Sequence, residues 1–183
     1  MKMEIVCAGV GGRGVLLAST ILIETAIKAG LEAMASDEYG MSQRGGSVVS
    51  LVKVGYCKSP LIGRENADVL LSFEESEFYR NLAFLKRGGM AIVNTRKGFF
   101  HDGIGNLLKE RNIECHFINA DDIASRKGSM QASNMAILGY FSYFKQGPYM
   151  FEAIEETIRE KTKGKFVEKN LEILDAGYRY GEQ

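Results

Sequence analysis

The chain reads Met-Glu-Ile-Val-Cys-Ala-Gly-Val-Gly-Gly-Arg-Gly-Val at positions 3–15, which is a short apolar run followed by a glycine-rich loop. The run from Met3 to Ala8 has the composition of a β-strand. From Gly12 to Ala29 apolar residues recur at helical spacing, and Gly30 marks the end of that helix. A strand, a glycine loop and a helix in this order predict the beginning of an α/β sheet.

Strands and helices continue to alternate along the chain. Strands are predicted at Glu32–Ser36, Ser47–Val54, Asp68–Phe73, Met90–Asn94 and Glu114–Ile118, with a polar loop at Asp37–Gly46. Helices are predicted at Glu74–Lys86, Ile104–Arg111, Asn134–Phe144, Met150–Lys161 and Val167–Tyr180. This alternation predicts a three-layer α/β/α fold with a largely parallel, Rossmann-like sheet and a helical C-terminal tail.

Length, composition and charge narrow the class of protein. The chain has 183 residues and 45% hydrophobic content, so we predict one domain over residues 1–183. Lysine plus arginine and aspartate plus glutamate both number 23, which argues against nucleic acid or an anionic membrane as a partner. Neither a signal peptide nor an apolar run of roughly 18 residues is present, so we expect a cytoplasmic protein.

The cysteines and histidines do not form a metal-binding pattern. Cys7, Cys57 and Cys115 lie far apart and no Cys-x-x-Cys occurs, so we expect no iron–sulfur cluster held by this chain alone. His101 and His116 have no metal-ligand spacing either. We therefore predict no metal site.

The glycine loop follows the pattern G-x-G-x-x-G from Gly9 to Gly14. Glycines let the backbone approach a ligand, and the following helix N-terminus offers free N–H groups to an anion. Asp37 and Glu38 lie near the position of the acidic residue that a dinucleotide site requires, although they open a polar loop. Three interpretations stay open: a dinucleotide site, a site for another phosphate or partner, and a tight structural turn.

A second motif reads Ser-Asp-Glu-Tyr-Gly-Met-Ser-Gln-Arg-Gly-Gly-Ser-Val-Val-Ser at positions 36–50. Arg44 precedes two glycines and a strand, so its guanidinium suits a carboxylate or a phosphate. Alternatively, Arg44 pairs with Asp37 or Glu38 and holds the loop.

Together, the segments Gly9–Ala18 and Tyr39–Val48 resemble the gamma domain of 2-oxoacid:ferredoxin oxidoreductases. The wording Met-Ser-Gln-Arg-Gly-Gly-Ser at positions 41–47 is most similar to the beta subunit of the indolepyruvate enzymes. Shorter matches, from Ser59–Ile62 to Ala176–Tyr178, extend the resemblance over nearly the whole chain. Two positions depart from the family: Arg13 stands where Gln is usual, and Tyr39 where His is frequent in the nearest branch.

The resemblance implies a subunit that is inactive alone and supports decarboxylation of a 2-oxo acid, of the aryl-pyruvate type, to an acyl-coenzyme A. It implies that thiamine diphosphate, magnesium and iron–sulfur clusters sit on a large catalytic partner, which passes electrons to ferredoxin. This chain would cover the active site and help hold coenzyme A, with Arg44 at its phosphates or facing the cofactor pocket across the subunit boundary. No catalytic residue or metal ligand is assigned. The candidate cofactor-binding residues are Gly9, Gly11, Gly12, Arg13, Gly14, Tyr39, Arg44, Gly45, Gly46, Ser47 and Asn134.

Three further alternatives accompany this hypothesis. The chain could be a stand-alone Rossmann-like nucleotide-binding protein or an NAD-dependent oxidoreductase, which would retain its nucleotide without a partner. Asn134 could simply cap a helix rather than act at a site. We also expect that an isolated chain, with its interface uncovered, is able to form a homodimer.

Overall fold

The computed structural model describes residues 1–40, 46–98, 102–162, 164 and 166–183. The strands are β1 (Met3–Val10), β2 (Ala33–Tyr39), β3 (Ser47–Val54), β4 (Ala67–Ser72), β5 (Leu85–Asn94) and β6 (Glu114–Ile118). The α-helices are α1 (Val15–Lys28), α2 (Glu75–Asn81), α3 (Asp102–Glu110), α4 (Ala120–Arg126), α5 (Ser133–Tyr143), α6 (Phe151–Lys161) and α7 (Phe166–Tyr180).

The six strands form one sheet in the order β2-β3-β1-β4-β5-β6. β1, β4, β5 and β6 pair in parallel, and β3 pairs antiparallel with both β1 and β2. Five strands therefore point in one direction and β3 in the other, which confirms the predicted largely parallel α/β sheet. β3 is reversed because the connection from β2 spans too few residues for the crossover that a parallel neighbour needs.

Alternate residues of β1 enter two different cores, as the pleat of a buried strand requires. Ile5 and Cys7 pack on the face that carries α1, α4, α5, α6 and α7. Val6 and Ala8 pack on the opposite face, together with Phe78 of α2 and residues of α3. The helices predicted for the C-terminal tail are present, and they form most of one of the two outer layers.

Three elements differ from the prediction. The helix predicted for Glu74–Lys86 ends earlier, because Leu85 is fully buried and pairs with Ala67 as the first residue of β5. The short helix α4 was not predicted; its N-terminus is capped by Asn119, whose side chain accepts a hydrogen bond from the Asp122 N–H at 3.1 Å. Residues 37–39 of the predicted loop belong to β2.

Burial keeps two of the three thiols protonated near neutral pH. Burial raises the pKa of Cys7 and of Cys115 to about 12, with a smaller contribution from Asp37 at Cys7, so both remain protonated near pH 8. Cys57 and Cys115 are both half-buried, and Cys7 is fully buried. In the native protein at pH 8, we expect Ellman's reagent to modify Cys57 rapidly and the other two thiols slowly. In denaturant all three should react at one rate; rapid native modification of Cys7 would contradict this packing.

Candidate functional site

The site lies where the chain leaves β1 and β4 in opposite directions. α1 follows β1 and packs on one face of the sheet, whereas α2 follows β4 and packs on the other. In open α/β sheets the crevice outside the carboxyl ends of two such strands is the usual ligand position. The loop of residues 11–14 occupies this position.

The glycine loop leaves the start of α1 uncapped. Gly12 and Gly14 have φ angles of 90° and 71°, a conformation that glycine adopts without a Cβ clash. Gly14 is the N-cap residue and has no side chain to accept a hydrogen bond from the first turn. The N–H groups of residues 15–17 therefore have no acceptor within the helix, and they are available to an anion.

The two sequence motifs meet at this loop. The Gly11 N–H donates to the Gly46 carbonyl at 2.9 Å, and the Gly40 N–H donates to the Ser47 carbonyl at 2.7 Å. The two motifs enclose a cleft with a volume of about 540 Å³, which is within the range of small-molecule sites. Its walls are formed by Val10, Gly11, Gly12, Gly14, Val15, Leu16, Tyr39, Gly40, Gly46, Ser47 and Val48.

Six of the predicted site residues line this cleft, which we call the glycine cleft: Gly11, Gly12, Gly14, Tyr39, Gly46 and Ser47. Gly9 is not a wall residue of the cleft. A Cβ added at Gly9 would lie 2.7 Å from the Val15 side chain and 3.0 Å from the Phe73 side chain, so close packing requires glycine at this position. Arg44 and Gly45 lie outside the described residues. The Ser47 hydroxyl donates to the fully buried carboxylate of Glu77 at 2.6 Å, so Ser47 contributes mainly its backbone to the cleft.

Asn134 connects α5 to the glycine loop instead of capping α5. The N-cap of that helix is Ala132, and it makes no side-chain capping bond. The buried Asn134 side chain donates from Nδ2 to the Gly14 carbonyl at 3.2 Å, and its Oδ1 accepts from the Met135 N–H at 3.1 Å. Asn134 thus fixes the carbonyl that immediately precedes the free amides of α1.

Arg13 points away from the glycine cleft. Its Nη2 contacts Glu74 Oε2 at 2.6 Å and its Nη1 contacts Asp121 Oδ1 at 2.8 Å. Asp121 also accepts from Asn94 Nδ2 at 3.1 Å. Burial lowers the pKa of the Arg13 guanidinium, but the charges of Asp121 and Glu74 outweigh burial and raise this pKa overall. Arg13 therefore joins the glycine loop to the starts of α2 and α4 at the carboxyl edge of the sheet.

The contacts of Arg13 give a clear expectation for Arg13→Gln, the residue usual in the resembling family. We expect the free energy of unfolding to fall by roughly 1–3 kcal/mol, because two partly buried carboxylates lose a charged donor. The affinity for a ligand of the glycine cleft should change by less than threefold, which corresponds to a change in binding free energy of about 0.6 kcal/mol. Urea denaturation and calorimetric titration with coenzyme A measure the two effects.

Arg126→Gln is the matched control, since its ion pair with Asp122 is exposed and should contribute little to stability. A loss of coenzyme A affinity of tenfold or more in Arg13→Gln would return Arg13 to the role of phosphate ligand that the sequence suggested.

Sequence reasoning did not identify five of the cleft residues, because neither apolar positions in strands and helices nor a single loop glycine carries a chemical signature: Val10, Val15, Leu16, Gly40 and Val48. Within the described ranges, no group of three or more His, Cys, Asp or Glu side chains is arranged to hold a metal ion. None of the helices in the same ranges is both long and apolar enough to cross a membrane.

Comparison with known proteins identifies the family of this chain. The family described as pyruvate ferredoxin/flavodoxin oxidoreductase matches residues 4–180. The chain is 37% identical to indolepyruvate oxidoreductase subunit IorB of Archaeoglobus fulgidus, over 97% of this chain and 94% of that one.

Two solved structures share the fold. Pyruvate oxidoreductase subunit PORC from Thermotoga maritima superposes with a TM-score of 0.78 at 27% identity, covering 97% of this chain and 96% of that chain. The second structure is a 2-oxoglutarate:ferredoxin oxidoreductase from Magnetococcus marinus with 2-oxoglutarate, coenzyme A and succinyl-CoA bound. It superposes with a TM-score of 0.81 at 21% identity, and the match covers 99% of this chain and 31% of that one.

These matches confirm the gamma-type resemblance and give no support to a stand-alone nucleotide-binding protein or NAD-dependent enzyme. The chain belongs to the pyruvate ferredoxin/flavodoxin oxidoreductase family.

Proposed function

We propose that this chain is the small subunit of an enzyme that oxidatively decarboxylates an aryl-pyruvate, and that its glycine cleft holds phosphate groups of coenzyme A. The observation that carries the proposal is the uncapped first turn of α1, whose N–H groups open beside the cleft. The similarity to indolepyruvate oxidoreductase subunits supports the substrate class.

The residues of the cleft fit coenzyme A. Its phosphates match the free amides at residues 15–17, and a Cβ at Gly12 would meet nothing within 4 Å, so the loop backbone is open to a ligand. The apolar wall formed by Val10, Leu16 and Val48 suits the largely uncharged pantetheine arm. Coenzyme A supplies the thiol that accepts the acyl group, while this chain binds and orients it.

A larger partner subunit supplies the remaining cofactors in this proposal. No Cys-x-x-Cys occurs in the sequence, and the described residues include no group of three or more His, Cys, Asp or Glu side chains arranged to hold a metal ion. The iron–sulfur clusters are therefore assigned to the partner. The family resemblance assigns thiamine diphosphate and magnesium to the partner as well, and the partner passes electrons to ferredoxin.

Purification from the native host tests this proposal. We would tag the chain, isolate it without oxygen, and measure the intact mass, iron content and thiamine content of the product. We expect a larger partner that carries both cofactors, and coenzyme A-dependent ferredoxin reduction that is fastest with indolepyruvate. A chain that is isolated alone, free of iron and thiamine but with a bound nucleotide, would overturn the proposal.

A further inference from the structure

Glu77 is a buried carboxylate on α2 that contacts a wall residue of the glycine cleft. It is the third residue of the helix, and its side chain is fully inaccessible to solvent. Its Oε2 accepts a hydrogen bond from the Ser47 hydroxyl at 2.6 Å, and its Oε1 contacts Arg80 Nη1 at 2.9 Å. Because α2 packs on the face of the sheet opposite α1, this carboxylate connects that face to the first residue of β3.

Packing alone does not explain a buried charge at this position. The next residue, Phe78, is fully buried in the core between α2 and the sheet. Removing a carboxylate from water is unfavourable, and an apolar side chain of similar volume is often at least as stable in its place. Arg80 compensates the charge of Glu77 only weakly, because 67% of the Arg80 side chain is exposed. The hydrogen bond from Ser47 is therefore what distinguishes Glu77 from an apolar residue.

The backbone on both sides of Glu77 is held by buried side chains. Asn81 Nδ2 donates to the Glu77 carbonyl at 2.8 Å, and the Ser72 hydroxyl donates to the Glu74 carbonyl at 2.7 Å. Both Asn81 and Ser72 are buried. A side chain that is fixed in this way can hold another group in place. The short hydrogen bond from Ser47 thereby ties the start of β3 to α2.

Ser47 transmits this position to the glycine cleft. Its carbonyl accepts from the Gly40 N–H at 2.7 Å, and the carbonyl of the preceding residue, Gly46, accepts from the Gly11 N–H at 2.9 Å. All four residues line the glycine cleft. A displacement of Ser47 would therefore move the wall formed by the second motif relative to the wall formed by the glycine loop.

We propose that Glu77 is a positioning residue, which fixes the separation of the two motifs through the Ser47 hydroxyl and thereby sets the affinity of the glycine cleft for coenzyme A. This inference rests on the proposed function. Glu77 is not among the described wall residues of the cleft, so it acts through Ser47 and not by contact with the ligand. Displaced walls weaken the binding of coenzyme A, whereas the chemistry on the partner's cofactors proceeds as before.

Replacing the carboxylate separates this role from a purely structural one. In Glu77→Leu the urea midpoint of the chain should be unchanged or higher, because an apolar side chain replaces a buried charge. The same variant should raise the KM for coenzyme A about tenfold and change kcat by less than about twofold, because Ser47 loses its acceptor. Glu77→Gln, whose amide oxygen still accepts from Ser47, should keep this KM within about threefold of the wild-type value. Ferredoxin reduction by the complex purified with its native partner measures both constants.

Glu75→Leu is the matched control on the same helix. The Oε2 of Glu75 accepts from the Thr95 hydroxyl at 2.7 Å, and its Oε1 accepts from the Tyr79 hydroxyl at 3.0 Å. None of these three residues is a wall residue of the glycine cleft. Glu75→Leu therefore removes a carboxylate that accepts from a distant hydroxyl, as Glu77→Leu does, and it should leave the KM for coenzyme A unchanged.

Hydrogen–deuterium exchange without any ligand tests the positioning role independently of coenzyme A. The amides of Gly11 and Gly40 should exchange faster in Glu77→Leu than in the wild type, and at the wild-type rate in Glu75→Leu. If Glu77→Leu changed neither this exchange nor the KM for coenzyme A, the positioning role of Glu77 would be wrong and the proposed function would stand. Failure of the wild-type complex to bind coenzyme A would instead overturn the proposed function, and with it the effect of Glu77 on affinity.

Discussion

Gly139→Ala is expected to lower the free energy of unfolding by roughly 3–5 kcal/mol, at or above the upper end of what overpacking usually costs. A Cβ at Gly139 would overlap the carbonyl oxygen of Leu174 on α7. From the other helix, a Cβ at Gly177 would overlap the carbonyl oxygen of Ala136. The helices α5 and α7 cross with their backbones in contact, so neither side can yield without separating the two. Urea denaturation of Gly139→Ala and Gly177→Ala measures the effect.

Gly105→Ala provides the matched control for this substitution. Gly105 also lies inside a helix, but a Cβ there would meet nothing within 4 Å. We expect Gly105→Ala to stabilise the protein by up to about 1 kcal/mol, since alanine has the higher helix propensity. If Gly139→Ala and Gly105→Ala had the same effect, the close crossing of α5 and α7 would be wrong.

Gly14→Ala is expected to reduce coenzyme A affinity by about a hundredfold and to destabilise the protein. The φ angle of 71° disfavours alanine by roughly 1–2 kcal/mol. In addition, the new Cβ would lie 2.5 Å from Asn134 Nδ2, so the Asn134 bond to the Gly14 carbonyl must break. The free amides of α1 then lose their fixed position beside the glycine cleft. Calorimetric titration with coenzyme A and urea denaturation measure the two losses.

Gly12→Ala separates backbone strain from the loss of the Asn134 contact. Gly12 also has a positive φ, of 90°, but a Cβ there would meet nothing within 4 Å of the protein. This variant should lose stability through strain alone, and less than Gly14→Ala does. Equal stability losses in the two variants would show that Asn134 does not hold the glycine loop.

The sequence was sufficient to predict the fold and to single out the two loops that line the glycine cleft. The apolar run before Gly9 and the helical spacing after Gly14 define β1 and α1, because both elements are long and strongly patterned. The second motif ends at the start of β3, which pairs with β1, so both loops lie at the same edge of the sheet. The local patterns predict each loop, whereas the pairing of β3 with β1 brings the two motifs together.

What could not be predicted are the contacts between distant loops. Arg13 reads as an anion ligand in a glycine loop, but Asp121, which neutralises it, lies 108 residues away along the chain. Asn134 reads as a helix cap, although its carboxamide reaches Gly14 across 120 residues. Neither partner has a spacing signal, because tertiary packing alone brings these side chains together. The start of β5 at Leu85 is likewise decided by pairing with Ala67 rather than by local propensity.

Hydrogen–deuterium exchange tests most directly whether α1 holds coenzyme A through its first turn. The complex from the native host would be compared with and without coenzyme A, following peptides that cover residues 11–17. We expect coenzyme A to slow exchange of these amides, and pantetheine, which has no phosphate, to slow it much less. If coenzyme A binds to the complex and leaves exchange at residues 11–17 unchanged, the glycine cleft is not where its phosphates lie.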